Sequence, residues 1–179
     1  MTEKRIRNLV IATAAAAVLA ACGGGGGNPG ATSGSGGTTT TTTTTVSAAS
    51  AVDKYVGTWL LCLSTGVGST SQTLVFAKTG DAALSYTFTF RTHTASGCTG
   101  TATVIGEGTG TVAVTGTKLV GTEIVDKWIT TENGQTQKML AVIRNSRLFF
   151  SIERDQPGFT EDSEGYPNTL DEGSSLAKQ

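Results

Sequence analysis

The sequence is poor in the residues that carry most enzyme chemistry. It has one histidine, His93, among 179 residues, and charged side chains make up 15% of the chain. The short motifs of nucleophile elbows, zinc peptidases, phosphate-binding loops and dinucleotide-binding turns do not occur in it. A general base needs a nucleophile and an orienting group beside it, and we expect His93 to lie in a surface loop at a strand end. These features predict a protein that is not an enzyme.

Positive charge is also scarce, which bears on partners and ligands. Without residues 1–21 the chain has 10 Lys and Arg against 13 Asp and Glu, so no basic patch for nucleic acid is expected. Cys62 and Cys98, which form no CxxC pair, make a poor metal set with the one histidine, and no cofactor is indicated. The spacing of the acidic residues near the C-terminus does not match an EF-hand loop, which favours a solvated tail over a calcium site. These residues are Glu161, Asp162, Glu164, Asp171 and Glu172.

The longest apolar run at the N-terminus is too short to span a membrane as a helix. "LVIATAAAAVLA", residues 9–20, would form about 18 Å of helix, against about 30 Å for a hydrocarbon core. It follows "MTEKRIRN", which carries three basic side chains and one acidic one. A basic segment followed by a short apolar one is typical of a signal peptide, predicted here over residues 1–21.

The end of this segment, Leu19-Ala20-Ala21-Cys22, resembles the lipobox of bacterial lipoproteins. The resemblance implies cleavage before Cys22, lipid attachment at that residue, and anchoring of the mature protein to a membrane of the bacterial cell envelope. Gly23 in place of Asp implies the outer membrane. An ordinary signal peptide with a coincidental cysteine is the alternative.

Residues 22–50 are predicted to form a disordered linker behind the lipid-bearing cysteine. From residue 23 onward the segment contains no charge and almost no bulky apolar residue, so it cannot bury enough surface to offset the entropy of ordering. A flexible chain of about 28 residues has a root-mean-square reach on the order of 30 Å. The eight threonines at 38–45 fit a solvated spacer, with an O-glycosylated stalk as the alternative.

The remaining chain predicts an all-β domain over residues 51–155. "LSYTFTFRT", residues 84–92, alternates apolar and polar side chains without a break, as a half-buried strand does. Asn133-Gly134 favours a hairpin turn, and "GEG" at 106–108 predicts another. About eight strands joined by short turns predict a single antiparallel meander closed into a barrel. The predicted strands cover residues 55–64, 72–78, 84–92, 99–105, 109–116, 118–132, 135–145 and 147–154. Residues 156–179 are expected to be an irregular tail packed on or near the barrel.

Cys62 and Cys98 are the cysteines of this domain. An even pair in an exported chain predicts a disulfide, while a metal pair or a catalytic thiol is the alternative. Closing a loop of about 37 residues would stabilise the fold by roughly 3 to 4 kcal/mol.

"YVGTW", residues 55–59, resembles the Gly-x-Trp opening of lipocalins and their avidin-like relatives, the calycins. The resemblance implies that Trp59 lies on the first strand at the closed end of the barrel, with a late arginine, here Arg154, across its ring. The Thr-Asp-Tyr signature of lipocalins is absent.

Two functions follow from these expectations. A lipid-anchored calycin-like barrel would bind a small apolar ligand or an envelope component. A surface or periplasmic interaction module, for example a hydrolase inhibitor or an assembly factor, would instead act through its loops. An interior with room would favour the first function, and a filled interior the second. Six aromatic residues are candidates either for a ligand cavity or for the core: Trp59, Phe76, Tyr86, Phe88, Phe90 and Trp128.

Overall fold

A computed structural model describes residues 50–179 of the chain. The predicted signal peptide, Cys22 and all but the last residue of the predicted linker lie outside the described residues. Among the residues that are described, no helix is long and apolar enough to span a membrane.

The described chain is a closed antiparallel barrel of eight strands, each paired with its neighbours in sequence. The prediction of an all-β meander barrel is therefore confirmed. A one-turn 3₁₀ helix, Asp53–Tyr55, precedes β1, and a 3₁₀ turn, Ser96–Cys98, joins β3 to β4. The strands are β1 Gly57–Ser64, β2 Ser69–Gly80, β3 Ala83–Ala95, β4 Thr99–Val120, β5 Glu123–Glu132, β6 Gln135–Arg144, β7 Arg147–Ser151 and β8 Leu170–Lys178.

The barrel has two ends with different connections. At the end that we call the closed end, tight turns join β2 to β3, β4 to β5 and β6 to β7, and the first 3₁₀ helix lies against the core. Ser50 lies at this end, since its hydroxyl donates to the carbonyl oxygen of Asp81 in the β2–β3 turn at 2.6 Å. At the opposite end, called the far end, residues 65–68, 96–98 and 133–134 form the turns.

β4 is one strand of 22 residues, so the hairpin turn expected at "GEG" is wrong. Glycines at 106, 108 and 110 pair in register with Phe90, Phe88 and Tyr86 of β3. Gly108 and Gly110 fit the strand because the rings of Phe88 and Tyr86 occupy the space that a side chain at these two positions would fill. The turn itself comes later, at Gly121, which has a φ of 60° and divides the predicted strand 118–132.

The expectation of an irregular C-terminal tail is corrected for its second half. β8 pairs with β7 and with β1, and so closes the barrel. Its sequence, "LDEGSSLAK", hides this role because only Leu170 and Leu176 are buried. Residues 152–169 do form an irregular segment, and Tyr166 within it packs with Val125 and Leu140 outside the main core.

Candidate binding surface at the far end

The aromatic residues considered for a ligand cavity lie mainly in the core. Trp59, Phe76, Phe88 and Trp128 have exposed fractions of 0, 4, 5 and 1%. The rings of Phe76 and Trp128 meet edge to face with their centres 5.6 Å apart. Tyr86 and Phe90 are partly buried and pack against the same cluster. These rings pack together as one cluster, as the side chains of a core do.

A buried polar network that sequence reasoning missed lies near the closed end. The Tyr55 hydroxyl donates to the Asp126 carboxylate at 2.7 Å, and the Lys54 ammonium lies 2.8 Å from the same carboxylate oxygen. Burial, followed by the hydrogen bond to Asp126, raises the pKa of the Tyr55 hydroxyl above its usual value of 10. Tyr55 therefore stays a neutral donor. These contacts tie the first 3₁₀ helix to β5 near the closed end.

Trp59 lies where the calycin resemblance implies, but the cation across its ring is a different residue. Trp59 is fully buried, and its indole N–H donates to the Tyr55 carbonyl oxygen at 2.7 Å. The Lys178 ammonium lies 5.4 Å from the Trp59 ring centre. Arg154 instead packs over Phe159 and pairs with Glu161, so the expectation for Arg154 is wrong. The reason is topological: the segment after β7 leaves the barrel wall, and β8 supplies the cation.

Cys62 and Cys98 form a disulfide, which confirms the prediction. The bond joins β1 to the 3₁₀ turn between β3 and β4. Three hydrogen bonds hold the same turn: Gly97 N–H donates to the Ser64 hydroxyl, Cys98 N–H donates to the Ser69 hydroxyl, and that hydroxyl donates to the Ala95 carbonyl oxygen. The β1–β2 and β3–β4 connections thus form one cross-linked unit at the far end.

The surface of this unit carries no charged side chain. Residues 55–77 and residues 92–106 contain no Asp, Glu, Lys or Arg. Val67 in the β1–β2 connection is 94% exposed, and Leu63 near the end of β1 is 39% exposed. Glycine, serine and threonine make up most of the remaining positions. We call residues 63–69 and 94–98 the far-end surface.

His93 does not lie in a surface loop, which corrects the expectation. It belongs to β3, and its Nε2 lies 2.8 Å from the hydroxyl oxygen of Ser71, which is 5% exposed. The other ring nitrogen, Nδ1, is buried and has no hydrogen-bond partner among the described residues. A serine–histidine pair acts as a nucleophile when a third group orients the histidine and the hydroxyl can reach a substrate. This pair has neither feature, and it serves to hold β2 to β3.

A depression of about 400 Å³ lies on the outer face of β2, β3 and β4. Its lining side chains alternate with the buried ones along each strand, which places the depression outside the barrel rather than in its interior. Small uncharged residues form most of it: Val75, Ala77, Ser85, Thr87, Thr109 and Thr111. Within the described residues, no group of three or more His, Cys, Asp or Glu side chains is placed to hold a metal ion.

Comparison with protein-family models, curated proteins and solved structures found no match to the chain.

Proposed function

We propose that this protein is an envelope-anchored binding module, without enzymatic activity, that engages a protein partner through its far-end surface. The observation that carries the proposal is the exposure of Val67 on an uncharged, cross-linked surface opposite the end where the chain enters the barrel.

The far-end surface has the physical properties of a preorganised interface. The disulfide and the hydrogen bonds of Ser64 and Ser69 restrain both connections before a partner binds, so little conformational entropy is lost on association. Because the surface carries no charged side chain, association with a partner does not require the desolvation of an ion. The exposed valine at the tip offers an apolar anchor of the kind that fills a partner's pocket.

Anchoring at Cys22 and the tether of residues 23–50 complete the proposal. A lipidated N-terminus would hold the module at the membrane, and a linker of the predicted kind, with a reach on the order of 30 Å, would let the far-end surface meet partners beyond the headgroups. The chain's slight excess of acidic over basic residues gives no reason to expect nucleic acid as the partner.

Site-specific photo-crosslinking in the host tests this proposal. A photoreactive amino acid at position 67 should give a discrete adduct with another envelope protein. When the photoreactive amino acid is placed at position 63 instead, the Val67→Asp substitution should reduce the yield of the adduct. Leu119 is the matched control position because it is 64% exposed but lies at the closed end. Equal adducts from both positions, or none from Val67, would contradict the proposal.

A second candidate function is the binding of a small ligand inside the barrel. One observation favours it: the indole N–H of Trp128 is buried and has no acceptor among the described residues. A ligand oxygen, or a water molecule, would satisfy this donor. Native mass spectrometry of protein extracted from its host would detect a retained small molecule, and an unmodified mass would reject this candidate.

A further inference from the structure

β4 extends beyond the part of the barrel in which it has two neighbours. It pairs with β3 from Thr99 to Ala113, but its pairing with β5 begins only at Gly110, opposite Glu132. Residues 99–109 therefore have a strand on one side only among the described residues. We call this segment the free β4 edge. Its outward backbone N–H and C=O groups are available to pair with another strand.

The free β4 edge lacks most of the features that protect natural edge strands. From Thr99 to Gly106 the segment contains no proline and no charged residue. Glu107 is the one charged residue of the whole edge. Val104 and Ile105 are 48% and 51% exposed. The pairing with β3 is irregular near Ile105 and again at the start of β4, and bulges of this kind weaken edge pairing without removing its donors and acceptors.

The edge is held in place before anything pairs with it. Phe88 lies against Gly108, and Phe90 lies against Gly106, so the central part of the edge rests on the barrel's aromatic cluster. The disulfide of Cys98 fixes the residue just before the strand begins. A strand that is already ordered loses little entropy when a partner strand adds to it.

We propose that the occupant of the free β4 edge is the same edge of a second copy of this chain, paired antiparallel about a two-fold axis. The sequence of the edge, "TGTATVIGEGT", is close to self-complementary about Val104. In that register Gly100 faces Gly108 and Ala102 faces Gly106, so small residues oppose small ones. The bulge at Ile105 lies beside the two-fold axis and interrupts the new ladder on either side of Val104. Val104 faces its own copy.

The charge distribution allows this self-pairing. In the register about Val104, Glu107 faces Thr101, so no like charges are opposed. Threonine and valine, which make up much of the edge, favour paired strands. A two-fold interface uses the same surface on both copies, so the assembly is complete with two chains. The exposed edge would therefore be covered in a dimer and would not propagate into a fibre.

The length of the edge also fits this arrangement. β5 ends at Glu132, opposite Gly110, and the β5–β6 turn follows at residues 133–134. The segment of β4 that lacks a strand on this side therefore ends at Gly110. In the antiparallel pairing, Thr109 of the second copy faces Thr99. The part of the second copy's β4 that pairs with its own β5 therefore lies beyond Thr99, and the two barrels are at opposite ends of the paired segment. β3 and β4 of both copies would form a four-stranded sheet between two barrels.

Cysteine crosslinking of the full chain in its host envelope tests the pairing directly. Val104→Cys should give a dimer on a non-reducing gel that reductant dissolves, because residues opposed across antiparallel strands lie within disulfide range. Leu119→Cys is the control, since Leu119 is more exposed but lies outside the free β4 edge, in the part of β4 that pairs with β5 at Ile124. Peptide mapping should confirm that Cys62 remains bonded to Cys98 in both variants. A monomer with Val104→Cys, or a crosslink to a different protein, would overturn the proposal.

Sedimentation of the detergent-extracted full chain gives the second measurement. We expect wild-type protein to show the mass of two chains, and Val104→Lys to raise the dimer dissociation constant roughly tenfold or more, since two ammonium groups would then face each other. Leu119→Lys and Val67→Asp should leave the constant unchanged, and the latter separates this interface from the far-end surface. A wild-type monomer, or equal effects of Val104→Lys and Leu119→Lys, would refute the second copy as occupant.

Discussion

The ring of Phe88 on β3 covers Gly108 on β4 so closely that a methyl group on that glycine would lie 2.6 Å from two ring carbons. Phe88 is 5% exposed, and its ring packs against Phe90 with centres 5.5 Å apart, so the ring has little room to move. The contact explains why a glycine-rich stretch continues as a strand: the aromatic ring needs the bare backbone beneath it.

Gly108→Ala should therefore destabilise the barrel. Overpacking a filled site costs about 1 to 3 kcal/mol, and we expect that loss in the free energy of unfolding measured with denaturant. Gly106→Ala is the matched control, because its added methyl would meet Phe90 at 3.6 Å, an ordinary contact. Equal stability of the Gly108→Ala variant and the wild type would contradict the close packing.

The glycine stretch also shows what the sequence could and could not predict. Alternation along residues 84–92 predicted β3 correctly, because one face of that strand is buried against the core. "GEG" was misread because glycine favours turns locally, while the reason for these glycines lies on the neighbouring strand. β8 was missed for a related reason: two buried leucines in nine residues do not reveal a strand whose place is set by β1 and β7.

The disulfide should contribute a large share of the stability of the fold. Cys62 and Cys98 are separated by 36 positions, and the chain-entropy model gives roughly 3 to 4 kcal/mol for a loop of that size. The double variant Cys62→Ser, Cys98→Ser should lose about that free energy of unfolding, and reductant should reproduce the loss in wild-type protein. A variant as stable as the oxidised wild type would show that the bond restrains the far-end surface without stabilising the barrel.

Trp59 and the two candidate cations should differ widely in their effects on stability. Trp59→Ala removes a fully buried ring and should cost about 3 to 5 kcal/mol. Lys178→Met removes a cation that lies over that ring while keeping most of the stem, and should cost about 0.5 to 1 kcal/mol. Arg154→Ala should change stability by less than about 0.5 kcal/mol, because that side chain is 75% exposed. A larger loss from Arg154→Ala than from Lys178→Met would contradict the assignment of the cation.

The candidate site divides in the same way between what was predictable and what was not. The disulfide followed from the even number of cysteines in a domain predicted to be exported, and the burial of Trp59 from the "YVGTW" resemblance. The cation over Trp59 depends on which late segment closes the barrel, and the Ser71–His93 contact depends on strand register. Neither is set by residues close in sequence.

Protonation of Asp162 should make the barrel less stable at low pH. The Lys118 ammonium at 2.6 Å, with the backbone N–H of Tyr166, lowers the pKa of this carboxyl to about 2, below its usual value of 3.8. Because the folded state holds the proton less tightly than the unfolded state, this contribution is present above about pH 4 and is lost as the pH falls towards 2. Asp162→Asn should thus lower the unfolding midpoint at neutral pH and approach wild type near pH 2.

A double-mutant cycle separates that ion pair from the rest of the acid response. In a Lys118→Met background, Asp162→Asn should have a smaller and less pH-dependent effect, since the ammonium is the main cause of the lowered pKa. The same pH dependence with and without Lys118 would assign the effect to the backbone hydrogen bonds instead.

The tether should matter for binding and not for folding. Deleting residues 23–45 leaves Cys22 five residues from Ser50, so an anchored barrel could no longer reach partners that lie about 30 Å from the membrane. Crosslinking from Val67 should fall, while the unfolding midpoint of the purified protein should stay at the wild-type value. A Gly/Ser segment of the original length should restore crosslinking, because reach rather than sequence is the property required. If the shortened chain crosslinks as well as wild type, the partner lies close to the membrane and the length of the tether has no role in binding.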